Sequence, residues 1–575
     1  MLRIPINEQG WGLFIQMMRN FTGSEVGMKA VGLFVSLMCL LLAVNGLNIL
    51  SSYVGRDFMT AIAERNVPNY IHQAVIYVAV FAALTIVAVV LRYCEERLGL
   101  LWREWMTDRL LKLYMEYPTY YRITDALIKK SGMENPDQRI ADDVKVFTTS
   151  TLSFTLMMLN GVFTIIAFSG VLWSISPELF GVAVFYAAGG TLLAVRLGKP
   201  LIDLNYAQLD KEASFRSGLI QVGQKAESLA LLHRERPILA RLSRQFDEVA
   251  GNFHKIIVVN RNLGYFTTGY NYLIQIIPAL LVAPLFIRGD ADFGVITQST
   301  MAFTMLSGAF SLIVTQFQQI SSFAAVVERL INLWYAIELA QTKTVSGMDV
   351  SEEDGVLSFE RLSVRSVIDG RVLVRDLSIT IPKGKRVLVV AQGEAVKDAF
   401  IKAAAGILDT ATGRICRPPL GKLLFLPERP YLSTGSLRDA LAPERKDQPV
   451  SDEEIVAVLE SVGIRDVLTQ AGGLDVEHDW DTLVSANQQQ LISFARILLS
   501  RPQFAVLDRP SAEVYPEKSA QLLRMLSAQE ITYLTVESNG RSMSDDMAEF
   551  YDAALFLRAE GEWEWRELSA GSQSN

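Results

Sequence analysis

Cysteine and histidine are scarce in this chain, with three and four residues respectively out of 575. Cys39, Cys94 and Cys416 stand far apart and lack metal-ligand spacing, which excludes a zinc module and a disulfide framework and leaves isolated buried thiols as the reading. No metal site is expected. An excess of base is also missing, since 54 Lys and Arg face 62 Asp and Glu for a net charge of -8. A phosphate-reading surface normally shows as a basic excess, so nucleic acid is not expected as a partner. The first residues hold no short apolar stretch with a small-residue cleavage site, so no removable signal is expected and internal segments must direct insertion.

What is abundant is apolar. Half the residues are hydrophobic and the mean hydropathy is +0.24, so the expected partner is the lipid bilayer. Charge-free runs occur at Ala30 to Leu50, Ile71 to Leu91, Thr149 to Ser176, Leu179 to Val195, Leu263 to Ile287 and Phe293 to Val327. Each is near or above the roughly 20 residues a helix needs to cross a bilayer, and six in succession predict six spans. Basic residues crowd the second-to-third connection, from Arg92 to Lys145, and the fourth-to-fifth, from Arg196 to Arg244. The alternate connections hold only Arg56, Arg65 and Arg288, so the positive-inside rule places the basic loops and both chain ends in the cytoplasm. Both loops read as helical, which predicts spans continuing as long cytoplasmic helices.

Past about Gln341 the texture changes. Val356 to Val390 alternates β-branched runs with the turns Asp369-Gly370 and Pro382-Lys383-Gly384, and strand and helix patterns then alternate to about Leu568. The expected fold is therefore a six-span helical membrane domain over 1–340 followed by an α/β domain with a parallel sheet over 341–568. Residues 569–575 are small and polar and are predicted to be disordered.

Several stretches resemble the uptake family that includes the SbmA and BacA-like peptide transporters, the cobalamin and bleomycin transporters, and the peroxisomal fatty-acyl half-transporters of the ATP-binding cassette class. In the membrane half these are LLWREWMTDRLL from Leu100, ENPDQRIADDV from Glu134, LNYAQLDKEASFRSGL from Leu204 and AESLALL from Ala226. In the second half they are LPERPYLSTGSLRDAL from Leu426, LVSANQQQLISFARILLSRP from Leu483 and FAVLDRPSAE from Phe504. Read without the resemblance, Asn135-Pro136 is a helix start with acidic residues in its first turn. The resemblance implies an exporter-type membrane domain, a nucleotide-binding cassette, a bacterial inner-membrane location and a dimer with a solute path between the two membrane domains. The partner copy is expected to be identical.

The cassette motifs depart from the family pattern. A phosphate loop reads GxxxxGK[ST], with glycines letting backbone amides curl around phosphates, lysine reaching the outer phosphates and a hydroxyl on magnesium. Here Ala391-Gln392-Gly393-Glu394-Ala395-Val396-Lys397-Asp398 fills that slot, and only Lys397 matches. A valine where positive φ is required costs on the order of 1–2 kcal/mol. Glu394 and Asp398 set carboxylates beside a polyanion, with nothing expected to offset Glu394, so 391–398 reads as an ordinary strand-to-helix turn. Asp508 matches the magnesium aspartate, but Arg509 stands where the family has its general base, and arginine accepts no proton. By the same resemblance Glu428 replaces the loop glutamine, and Val484, Ser485 and Ala486 replace the signature serine and glycines. The switch histidine is replaced around Glu537 and Ser538. No aromatic residue lies between Glu360 and Ala399 to stack an adenine.

These losses lead to the expectation of no cofactor, with ATP hydrolysis lost or very weak. The favoured function is inner-membrane uptake of peptides or similar hydrophilic solutes, driven by the proton gradient, with Glu95, Glu96, Glu104, Glu227 and Glu328 as proton-coupling candidates beside a helix-capping or solvated role for each. One alternative is an ATP-driven importer in which Lys397 and Asp508 are residual phosphate and magnesium contacts. Another is a non-transporting membrane sensor or assembly partner.

Overall fold

The computed structural model describes residues 17–124, 136–341, 347–366, 369–408, 410–432, 434–441, 450–509, 516–538 and 550–568. The chain divides into two compact units, Met1–Met115 with Met133–Tyr335, and Glu116–Gly132 with Ala336–Asn575. The predicted disordered tail lies outside the described residues.

The first unit is helical: α1 Gly27–Ala63, α2 Val67–Met115, α3 Val144–Ile175, α4 Pro177–Gln224, α5 Ala226–Leu232, α6 Glu235–Arg288, α7 Gly294–Thr315 and α8 Phe317–Gln341, the last of which contains the unit boundary. Among the described residues five helices are long and apolar enough to cross a membrane, namely α1, α2, α3 with its preceding turn, α4 and α6. The sixth expected run, 293–327, is broken at Gln316 into α7 and α8. Helices α2, α4 and α6 hold 49, 48 and 54 residues, so each runs well past a bilayer, as the helical basic loops predict. Helix α6 continues through Pro278 and Pro284 and α4 through Pro200.

The core of this unit packs Phe168 and Leu172 of α3, Leu179 and Ala183 of α4, Val282 of α6, and Phe303 and Leu306 of α7. Many other apolar side chains face outward, as with Val78 and Ile86 on α2. Lipid-facing helices have this character, because hydrocarbon penalises no exposed leucine or valine. Cys39 is exposed on α1, correcting the expectation of three buried thiols, while Cys94 and Cys416 are buried. The predicted helix start at Asn135-Pro136 is only partly described. Pro136–Gln138 forms one helical turn, Arg139–Asp143 widens into a π-helix, and α3 follows. The widened turn buries Arg139 and Asp143, and Arg329 of α8 donates from Nε and Nη2 to Asp143 at 2.7 and 2.6 Å. Arg139 Nη1 in turn donates to the Arg329 carbonyl at 3.2 Å.

The second unit carries two sheets. One has the order β1-β5-β2-β3, from Gly347–Glu352, Ala411–Arg417, Val356–Arg365 and Val372–Pro382. The other has the order β10-β9-β4-β8-β7-β6, from Trp563–Glu567, Ala553–Leu557, Val387–Ala391, Thr532–Ser538, Phe504–Asp508 and Leu423–Leu426. All pairs in the second sheet are parallel except β9 with β10. Strands β4, β7 and β8 are almost wholly buried, which is why they read as continuous apolar runs. The main helices of this unit are α9 Glu394–Ala404, α10 Asp452–Val462, α11 Ala486–Ser500 and α12 Pro516–Ala528. A short stretch from the earlier half of the chain also belongs to this unit: the Tyr117 hydroxyl donates to the Ala405 carbonyl at 3.4 Å, and Arg122 Nη1 donates to the Ala340 carbonyl at 2.8 Å.

Candidate functional site

In a parallel α/β sheet, ligands sit at the carboxyl ends of the strands. Here β4 ends at Ala391, β7 at Asp508, β8 at Ser538 and β6 at Leu426, two residues before Glu428. Lys397, in the first turns of α9, draws together residues at the ends of β4, β6 and β7. It is 1% exposed, and its Nζ lies 2.8 Å from Asp508, 3.1 Å from Glu394, 3.3 Å from Glu428 and 3.9 Å from Asp398. Burial pulls the ammonium down, but the hydrogen bonds it donates to Asp508 and Glu394 outweigh it and hold Lys397 above its ordinary pKa. Burial pushes Asp508 up against the same bond. The hydroxyl of Ser538, followed by Lys397 and Arg509, holds the Glu394 carboxyl below its usual value.

The turn itself answers the question of strain. Gly393 takes φ of +102° and α9 begins at the next residue, so Glu394, Ala395 and Val396 are helical and Val396 is buried. No positive φ falls on Val396, and the penalty expected there is corrected: the chain converts the stretch that would curl around phosphate into a turn of helix. The left-handed residue is instead Arg509, with φ of +43°, at a cost of roughly 1–2 kcal/mol. Its amide donates to the Val536 carbonyl at 3.0 Å, which fixes its side chain over the site. Arg509 Nη2 pairs with Glu394 and Ser538, and Nη1 lies 3.5 Å from Glu428. Ser538 also donates to Glu394 at 2.5 Å. The expectation that nothing offsets Glu394 is therefore corrected, since a lysine, an arginine and a hydroxyl all do so.

The signature segment is likewise satisfied internally. Ser485 caps α11, accepting from the Gln488 amide at 3.3 Å while Gln488 Oε1 accepts from the Ser485 amide at 3.0 Å. This capping box ties the helix-terminal amides to the chain's own side chains. Val484 is buried, and Ala486 opens the helix.

Asp508 and Glu428 are the hard-oxygen groups that would hold magnesium, once they release the Lys397 ammonium that lies 2.8 and 3.3 Å from them. A triphosphate has no curled loop to enter while α9 starts at Glu394, and the Lys397 ammonium is already shared among carboxylates.

Of the proton-coupling candidates, Glu96 is exposed and accepts from Arg92 at 3.1 Å, Glu104, Glu227 and Glu328 are exposed, and Glu95 alone is half-buried. They lie on three helices and form no cluster. Sequence reasoning missed the pair beside Glu328: Arg329 and Asp143, although both basic and acidic members of the 139–143 motif were in view.

Comparison with known proteins gives the same architecture. The family model for ABC transporter transmembrane region 2 matches residues 18–287. An uncharacterised ABC transporter ATP-binding protein of Synechocystis is 33% identical over 92% of this chain and 80% of its own. ABC transporter D family member 2, chloroplastic, of Arabidopsis thaliana is 31% identical over 92% of this chain and 84% of its own. The inner membrane ABC transporter ATP-binding protein YddA of Escherichia coli is 24% identical over 89% and 92%. The chain belongs to the ABC half-transporter family of the D type, with its bacterial homologues. It is a membrane protein of a transporter family that works in dimers. The expectation of no cofactor is overturned by these names: relatives aligned across nearly the whole chain are ATP-binding proteins.

Proposed function

We propose that this chain is one half of a homodimeric transporter that takes up a peptide or similar hydrophilic solute across a bacterial inner membrane, with both termini cytoplasmic. ATP with magnesium is a ligand of its cassette domain, and the proton gradient drives transport. The reading follows the analogy with the SbmA and BacA-like branch. Arg509 carries the reading. It stands directly after Asp508, where a general base belongs, and a guanidinium cannot take a proton from water. The relatives' names speak for nucleotide binding, and binding does not require that base. Affinity for ATP is low, because Glu394 and Asp508 must first give up the Lys397 ammonium. Both surfaces that form a composite site are altered within the one chain, so an intact heteropartner completes neither site and an identical partner serves equally well. Among the carboxylates, Glu95 is the favoured proton carrier because it is the one withdrawn from water.

The test is uptake of a labelled peptide by proteoliposomes holding the purified dimer. Uptake should collapse with a protonophore, persist without ATP and fall in Glu95→Gln. Uptake indifferent to the protonophore, or ATP hydrolysis that Lys397→Ala removes, overturns the reading.

A further inference from the structure

At the end of the helical unit opposite the basic connections, α1, α2 and α7 line a half-open cavity of about 210 Å³. Ser52 and Gln298 are among its lining residues, 1% and 2% exposed, and Ser52 Oγ and Gln298 Nε2 have no hydrogen-bond partner. Buried polar atoms are nearly always paired, so two orphans on one cavity are a sign of something missing. The walls are fixed. Gly294 of α7 lies so close to α1 that an added Cβ would sit 1.8 Å from the Arg56 carbonyl oxygen, and its amide donates to Thr60 Oγ1 at 3.1 Å. Gly55 likewise lets the Tyr77 hydroxyl of α2 approach within 3.2 Å of where a Cβ would be.

Gln298 Nε2 and the Ser52 hydroxyl can both donate, and Arg56, ion-paired with Asp57 at 2.8 Å and 5.2 Å from the Tyr53 ring, adds a guanidinium to the lining. Met59, Met301 and the Tyr77 ring supply apolar, adaptable walls. The volume equals about seven waters at about 30 Å³ each, or one amino-acid-sized group.

We propose that this cavity is a binding site for a carboxylate carried on a small apolar body, such as the C-terminal residue of a peptide, with Ser52 and Gln298 donating to the carboxylate and Arg56 setting its sign. The proposal deepens the uptake reading by naming a solute class, and rests on it only for the role of the site in transport. Its assay is equilibrium binding to the full-length protein in nanodiscs, with neither gradient nor nucleotide, so it fails or stands apart from the energy source. Radiolabelled N-acetyl-leucine should bind saturably, N-acetyl-leucine amide should compete at least tenfold less well, and hexanoate separates a peptide terminus from a plain aliphatic acid by competing weakly. Ser52→Ala and Gln298→Leu should each weaken binding at least tenfold while leaving the melting midpoint unchanged or raised, because neither side chain gives up an internal hydrogen bond. No saturable binding, as for a cavity holding water alone, equal competition by the amide or stronger competition by hexanoate, or full affinity in the two variants overturns it.

Discussion

Glu394 is the residue on which the cassette's relation to nucleotide turns. Its carboxylate lies where phosphate charge would come, and a like-charge pair at 4 Å costs about 4 kcal/mol at an effective dielectric near 20, a ceiling that Arg509 and Lys397 lower. Glu394→Ala should therefore raise affinity for a fluorescent ATP analogue with magnesium at least tenfold, without restoring hydrolysis, since Arg509 remains. A second residue-scale prediction concerns pH. The Arg386 guanidinium holds the Asp552 carboxyl below its ordinary value, with contacts at 2.6 and 3.1 Å and a further bond from the Arg386 amide at 2.9 Å. A depressed folded-state pKa means the stabilisation is fully present above the unfolded carboxylate value and lost as pH falls through the folded one. Denaturant midpoints should drop in that acid window, and Asp552→Asn should flatten the drop.

Among the elements, the π-helix at Arg139–Asp143 and the α1–α7 contact make the sharpest claims. Asp143→Asn removes a two-toothed ion pair whose acid is buried and whose arginine is partly exposed. The expected cost is about 1–3 kcal/mol, read as a lowered thermal midpoint in nanodiscs, with Arg329→Gln giving no further loss in the double variant. Gly294→Ala must push α7 off the Arg56 carbonyl and should cost about 1–3 kcal/mol in the same assay. Apolar runs and turn signals made the long helices, the two-part architecture and the strand-to-helix turn at 391–398 legible in the sequence, because periodicity and burial decide those locally. The widened turn was not legible: Asn-Pro-Asp announces a helix start, and only α8, nearly two hundred residues on, brings the Arg329 that rewards burying Asp143. The neutralisation of Glu394 was hidden for the same reason, as Arg509 and Ser538 reach it from separate strands. A valine in the glycine pattern signalled strain, yet a helix beginning three residues early removed the need for it.

For the whole molecule, a membrane domain and a cassette matched to relatives over 92% of the chain fix the class, while the source of energy is a separate matter of which groups can move protons. A dimer reconstituted with its cassettes facing the lumen should show uptake that follows the imposed pH difference and is altered less than twofold by ATP trapped inside. The turn at Gly393 has a consequence at this scale. A nucleotide domain whose cradle is stoppered by its own acids and bases gains little from a weakly held guest, so its melting midpoint should shift by only about 1 °C between apyrase-treated samples and samples with ATP at about its Kd. Such a protein would hold its shape through starvation, indifferent to the cell's adenylate charge.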